Sequence, residues 1–364
     1  MSKNNEYQHY VPKMYLRNFS NNGRSIGGFL LSDRRYVADM PIKSICGRKN
    51  LYGEDLTIEN WFRDLEGKWA DLLRKIISQE TIDLSDEELA YMYMLVFLSD
   101  ARTGYMADSI TDITTKTIQT MALLGREHGE FDFTDEEIKN LRANIDKPNL
   151  PHLQSMATSI DVMSDLVPVL IVNTTSKSFI TSDSPMVKYN YLFIKRNYKK
   201  SSGLGHVGAQ IFLPLSPKLC FLLYDSVVYD IKTDNQVLKI NAPDQIIRLN
   251  SLFAQNAKSI VLFKNDEKEW LINKYTYGVK DTSNFFNNSI FKGESGYMIM
   301  VSSPSLEYDA RLSFCSIKDP FLTIDFPSNA AGPLRPIARM IADKHKEEDK
   351  TPQSANGIYW PYKL

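Results

Sequence analysis

The segment QHYVPKMYLRNF at residues 8–19 sets a histidine between a glutamine and a tyrosine, just ahead of a proline. Chain starts are usually loose and polar. This one is aromatic and carries one of only five histidines in 364 residues. Near neutral pH an imidazole works as a general acid or base, which makes His9 a candidate catalytic residue and Gln8 a substrate contact. Pro12 pushes Val11 towards extended backbone, so His9 and Val11 share one side of the chain and Tyr10 faces the other. The structural alternative is an anchor. Tyr7, Tyr10, Tyr15, Leu16 and Phe19 bury large areas, with Pro12 and Tyr15 supporting the path, while His9 bonds a carbonyl.

In FITSDSPM a strand runs into Ser182-Asp183-Ser184-Pro185. An aspartate ahead of such a turn commonly accepts from its own downstream amides, with Pro185 shaping the turn. At the C-terminal end of a strand it can instead bind a divalent cation, orient His9 or take a proton. Asp183 is therefore the second candidate catalytic residue, and Ser182 a substrate contact. The Gly-x-Ser-x-Gly elbow is missing, which disfavours serine catalysis. A His9–Asp183 pair requires the amino end to fold back onto the first strand after the helical half.

Glu66 and Arg102 fall in helical stretches. They read either as a buried ion pair between helices or, for Arg102, as a clamp on phosphate or carboxylate. Glu66-x-Lys68 matches part of a nuclease metal-site pattern, but it lies mid-helix where that pattern needs a strand. Lys195, Arg196, Lys199 and Lys200 form the one local basic cluster, either a solvated loop or a phosphate-tracking one. Gly203-x-Gly205-x-x-Gly208 matches the dinucleotide fingerprint in letters only, because a strand rather than a helix is expected after it. His128, His152 and His345 add no ligand spacing.

Elements must position these groups. Trp61, Phe62, Leu65, Trp69, Leu72, Leu73 and Ile76 make one helical stripe from Thr57. Ser85-Asp-Glu-Glu88 and Thr134-Asp-Glu-Glu137 are capping boxes that start further helices. After Leu166 short apolar runs (VPVLIV, KSFIT, AQIFLPL, KLCFLLYD, KSIVLF, GYMIMV) read as strands, with a helix opening at Pro243. IGGFLL and DRRYV read as an earlier strand pair turning at Asp33-Arg34.

The bulk numbers bound the rest. Apolar residues at 43% and charged residues at 24% describe an ordinary globular chain, and a net charge of −1 supplies no global field for nucleic acid or membrane. Cys46, Cys220 and Cys315 are three in number and far apart, which suits a reducing cytoplasm and no disulfide framework. No apolar run reaches the ~20 residues of a membrane helix, and the N-terminus has no signal-peptide pattern.

The opening segment is similar to that of an uncharacterised prokaryotic family, one of the numbered domains of unknown function, whose chains begin Gln-His-x-x-Pro-x-x-Tyr-Leu-x-x-Phe. Similar landmarks are Leu65-Glu66, Arg102-Thr103, Thr181-Ser182-Asp183-Ser184-Pro185 and the strand exit Pro214 to Pro217. This chain has Gly104 where proline often follows Arg-Thr, and Ser184 where asparagine is common. The resemblance implies shared landmarks and a shared fold, not a reaction.

The expected fold is α+β, with an N-terminal helical block packed beside a mixed, mainly antiparallel β-sheet. Residues 1–56 form an extended segment on the sheet, 57–165 the helical block, 166–342 the sheet region with one or two helices, and 343–364 a charged linker with an aromatic tail. The expected function is hydrolysis of nucleic acid or a nucleotide, nuclease-like, in a bacterial defence or toxin context. The alternative is a non-enzymatic sensor or protein-binding module. The expected cofactor is at most a divalent cation, with no NAD, zinc or haem. The expected partners are nucleic acid or a protein, with no membrane.

Overall fold

Apolar side chains three and four apart build the first half of the molecule. The computed structural model describes residues 7–198, 203–279, 287–293, 296–302, 306–324 and 333–348. It opens with β1 (Tyr7–His9), α1 (Lys13–Arg17), β2 (Ser25–Leu30), β3 (Arg35–Pro41) and β4 (Gly47–Lys49). The helices α2 (Thr57–Gln79), α3 (Asp86–Ala101), α4 (Gly104–Glu127), α5 (Asp135–Asn140), α6 (Leu150–Gln154) and α7 (Met156–Met163) follow. α2 buries Phe62, Leu65, Trp69, Leu72, Leu73 and Ile76, the expected stripe without Trp61, which is 38% exposed. Reciprocal capping boxes start α3 at Ser85–Glu88 and α5 at Thr134–Glu137, each satisfying amides that a helix start leaves open.

The second half contains β5 (Val167–Asn173), β6 (Thr181–Ser182), β7 (Val187–Tyr189), α8 (Tyr191–Lys195), β8 (Gln210–Pro214) and β9 (Leu219–Tyr224). Next come β10 (Tyr229–Asp230), β11 (Val237–Ile240), α9 (Pro243–Asn256), β12 (Ile260–Phe263) and α10 (Glu269–Tyr275). β13 (Asn287–Gly293), β14 (Gly296–Ser302), β15 (Ser316–Ile317), α11 (Asp319–Thr323) and α12 (Pro336–Glu348) complete it.

The central sheet has the order β11-β5-β9-β8-β7 and is antiparallel except for the parallel β11–β5 pair. Leu170, Val172, Leu213, Phe221 and Leu223 join the core of the helical block. Their alternates Val169, Ile171, Phe212, Cys220 and Leu222 join a second core with Ile246, Leu249 and Phe253 of α9. Both faces are covered, which is why these strands read as continuous apolar runs rather than alternating ones. The fold is α+β, as expected.

Three details differ from expectation. The N-terminal segment does not merely lie on a sheet: β2 is hydrogen-bonded between β3 and β12 in a second sheet, β3-β2-β12-β6. Gly27 permits this, because a Cβ there would run into the Phe263 ring. More helices than expected follow residue 166, since α8, α10 and α11 are only five to seven residues long and carry little periodic signal. Finally, α12 reaches Glu348, so the start of the expected linker is helical; residues 349–364 lie outside the described residues. Among the described residues no helix is long and apolar enough to cross a membrane.

Candidate functional site

β1 pairs antiparallel with β4, and this short ladder holds the amino end in place. Gln8 is fully buried. Its Nε2 donates to the Gly53 carbonyl at 3.1 Å, and its Oε1 accepts from the Tyr52 amide at 2.6 Å. Both ends of the amide are engaged with one loop, so Gln8 is a fastener rather than the expected substrate contact. Pro12 stands at the N-cap of α1 with φ −57°. Tyr15 then bridges distant landmarks: its hydroxyl lies 2.5 Å from the Pro214 carbonyl and 2.8 Å from Thr181 Oγ1.

Arg102 is enclosed. Its side chain is 2% exposed, pairs with Glu66 Oε1 at 3.0 Å and donates to the His9 carbonyl at 2.6 Å. It also donates to the Tyr52 hydroxyl at 3.3 Å and lies 3.9 Å over the Phe62 ring. The expected phosphate clamp is corrected to a buried tie between α2, α3 and β1, because protein groups already surround the guanidinium.

Asp183 is likewise committed. Its carboxylate accepts from the Lys258 amide at 2.9 Å, the Ser259 amide at 2.8 Å and Ser259 Oγ at 2.5 Å. Burial raises its pKa, and these hydrogen bonds oppose the rise. Ser182 Oγ accepts from the Ser184 amide at 3.1 Å within the same turn, and Pro185 is buried beside it. In the N-terminal segment the Asp183 charge acts on Tyr10, Cys46 and Arg48, and it is not among the influences on His9. The carboxylate's hydrogen bonds go to Lys258 and Ser259, and the expected contact with His9 is not among them. Asp183→Ala is expected to cost about 1–3 kcal/mol, because it leaves two amides without their acceptor. Urea denaturation measures this.

His9 has different company. It is 8% exposed, and the Tyr7 ring stands at 80° to the imidazole with centroids 5.2 Å apart. Its Nε2 is buried and has no hydrogen-bond partner. Glu59, in the first turn of α2, has a buried Oε2 in the same condition. Arg102 donates to the His9 carbonyl and pairs with Glu66, which follows Glu59 by two turns on α2, so one guanidinium ties the strand that carries His9 to the helix that carries Glu59. Burial, then the Lys13 charge, push the His9 pKa down to about 4, with the backbone at Ile42 and Lys43 opposing. Burial raises Glu59, with Arg102 opposing and Glu66 adding to the rise. One group is thus pushed towards the bare base and the other towards the protonated acid, as in a general acid–base pair. Lys13 and Glu59 are half-buried and Arg63 is exposed, so the pair sits just beneath the surface.

A further polar group was not foreseen. Asp100 at the end of α3 holds Lys188 Nζ at 2.8 Å, and His152 Nε2 lies 3.9 Å away. Burial works to raise the Asp100 pKa, but Lys188 and His152 reverse it and hold the carboxyl below its usual range. Lys258 Nζ sits 4.3 Å over the Tyr105 ring nearby. The single carboxylate of Asp100 on α3 pairs with Lys188 of β7 and lies beside His152 of α6, which makes this a seam between blocks.

The basic loop lies elsewhere. Lys195 Nζ is 3.6 Å from Asp309, and Arg196 donates to the carbonyls of Phe321 and Leu322. Lys199 and Lys200 lie outside the described residues. The glycines at 203–208 lead into β8 rather than a helix. Among the described residues, no group of three His, Cys, Asp or Glu side chains is placed to hold a metal ion.

Residues 7–267 match the family model described as Protein of unknown function (DUF4238). The match contains His9, Lys13, Glu59, Glu66 and Arg102. No curated protein and no solved structure matches the chain.

Proposed function

The chain belongs to the family Protein of unknown function (DUF4238), and from that premise we propose that it is a hydrolytic effector acting on nucleic acid or a nucleotide at the His9–Glu59 pair. The observation that carries the reading is the pair of buried polar atoms, His9 Nε2 and Glu59 Oε2, that no protein group satisfies. Buried polar atoms are nearly always bonded, so two unpartnered ones in one neighbourhood suit a site completed by its substrate. His9 serves as the base and Glu59 as the acid. Lys13 and Arg63, both acting on Glu59, supply cations for a phosphate. A bound phosphate also raises the His9 pKa from about 4 towards the working range, because an anion favours imidazolium.

The test is degradation of single-stranded RNA, DNA and nucleoside triphosphates by wild type, His9→Gln and Glu59→Gln. The reading expects turnover of at least one substrate by wild type and its loss in both variants. A second reading, a non-enzymatic sensor or protein-binding module, draws on how completely Gln8, Arg102 and Asp183 are engaged in the fold. It expects every substrate to survive all three proteins.

A further inference from the structure

Resting on the acid–base reading of His9 and Glu59, we infer that the substrate is single-stranded RNA and that its own 2′-hydroxyl is the nucleophile. The described residues His9, Glu59, Lys13 and Arg63 supply the groups that this reaction needs. A neutral imidazole nitrogen takes a proton, a carboxylic acid gives one, and neighbouring cations offset charge on the phosphate. His9 Nε2 accepts the 2′-hydroxyl proton while O2′ attacks the adjacent phosphorus. The P–O5′ bond breaks as Glu59 protonates O5′. The products are a 2′,3′-cyclic phosphate and a free 5′-hydroxyl. This first step is a transesterification that consumes no water and oxidises or reduces nothing; water opening the cyclic phosphate afterwards completes the hydrolysis. The phosphodiester keeps its single negative charge, and the enzyme is left with imidazolium and carboxylate, which re-equilibrate with solvent. DNA has no hydroxyl at that position and would need water or another external nucleophile.

Tyr7 points to a single strand. The residue is 37% exposed, its ring packs T-shaped with the His9 imidazole, and its hydroxyl donates a hydrogen bond to the Ser44 carbonyl at 3.0 Å. A fixed, exposed aromatic ring next to the reacting base is a platform for one unstacked nucleobase, which a duplex does not offer. Such stacking tolerates any base, so cleavage should show little sequence preference.

The experiment uses full-length protein and four strands of one sequence: all-ribo, all-deoxy, all 2′-O-methyl, and deoxy with one internal ribonucleotide. Products are read by mass spectrometry of their ends. Expected are cleavage of the all-ribo strand, cleavage of the mixed strand only 3′ to its ribonucleotide, cyclic phosphate ends, and rates at least about a hundredfold lower on the other two. Tyr7→Ala is expected to raise KM about tenfold with kcat little changed. Comparable cutting of the all-deoxy strand, or 3′-hydroxyl with 5′-phosphate ends, overturns the RNA inference while leaving a hydrolase. Survival of all four strands, or sole turnover of nucleoside triphosphates, overturns it too, and survival of every substrate removes the acid–base reading as well.

Discussion

Arg102→Ala is expected to lower the unfolding free energy by about 3–5 kcal/mol, the range for breaking one side of a buried charge pair. The guanidinium is 2% exposed, while its Glu66 partner is 25% exposed. Removing the arginine therefore strips the His9 carbonyl and the Tyr52 hydroxyl of a donor and empties the space over the Phe62 ring. The reverse change, Glu66→Gln, should cost much less, since water reaches that side chain and an amide oxygen can still accept. Urea midpoints at unchanged slope measure both. A loss below about 1 kcal/mol for Arg102→Ala would mean that the pair behaves like an exposed one, and the tie between α2, α3 and β1 would not hold the amino end.

His9→Gln is expected to lower cleavage about 10²–10⁴-fold, the usual contribution of a positioned general base, with the urea midpoint nearly unchanged. The pH profile separates this from a structural role. The base form of His9 is lost only as pH falls through about 4. The acid form of Glu59 is lost as pH rises through its raised pKa. In kcat/KM, which reports the free enzyme, the acid limb therefore falls near 4 and the alkaline limb follows the raised Glu59 pKa. In kcat both limbs shift to higher pH, because bound phosphate favours both protonated forms. Lys13, Arg102 and Arg63 oppose protonation of the pair, and Glu66 favours it, so Lys13→Ala should move the acid limb upward.

Much of the framework was legible from local pattern. The α2 stripe, the two capping boxes and the β5, β8, β9 and β12 runs depend on spacings within one element, and those spacings survive folding. The α+β character followed from the shift in period near residue 166. The site was less legible. His9, Arg102 and Glu66 stood out by residue type and are brought together, but their roles follow from contacts across 36 and 93 residues that no local pattern encodes. Glu59 was overlooked because an acid in the first turn of a helix needs no special explanation. Its spacing of two turns from Glu66 was the available signal. Asp183 misled because a carboxylate at a turn after a strand looks the same whether it binds backbone amides or substrate. His152 looked inert for a similar reason: its partner Asp100 lies in another helix.

The central claim is that His9 is a depressed base facing a phosphate-bearing ligand, and NMR titration of its imidazole tests this most directly. In the free protein the ring should titrate near 4, and a saturating 2′-O-methyl RNA strand, which resists cleavage, should move the midpoint upward. Titration near the ordinary 6.5 in the free protein, or a midpoint that the strand leaves unmoved, would contradict the account.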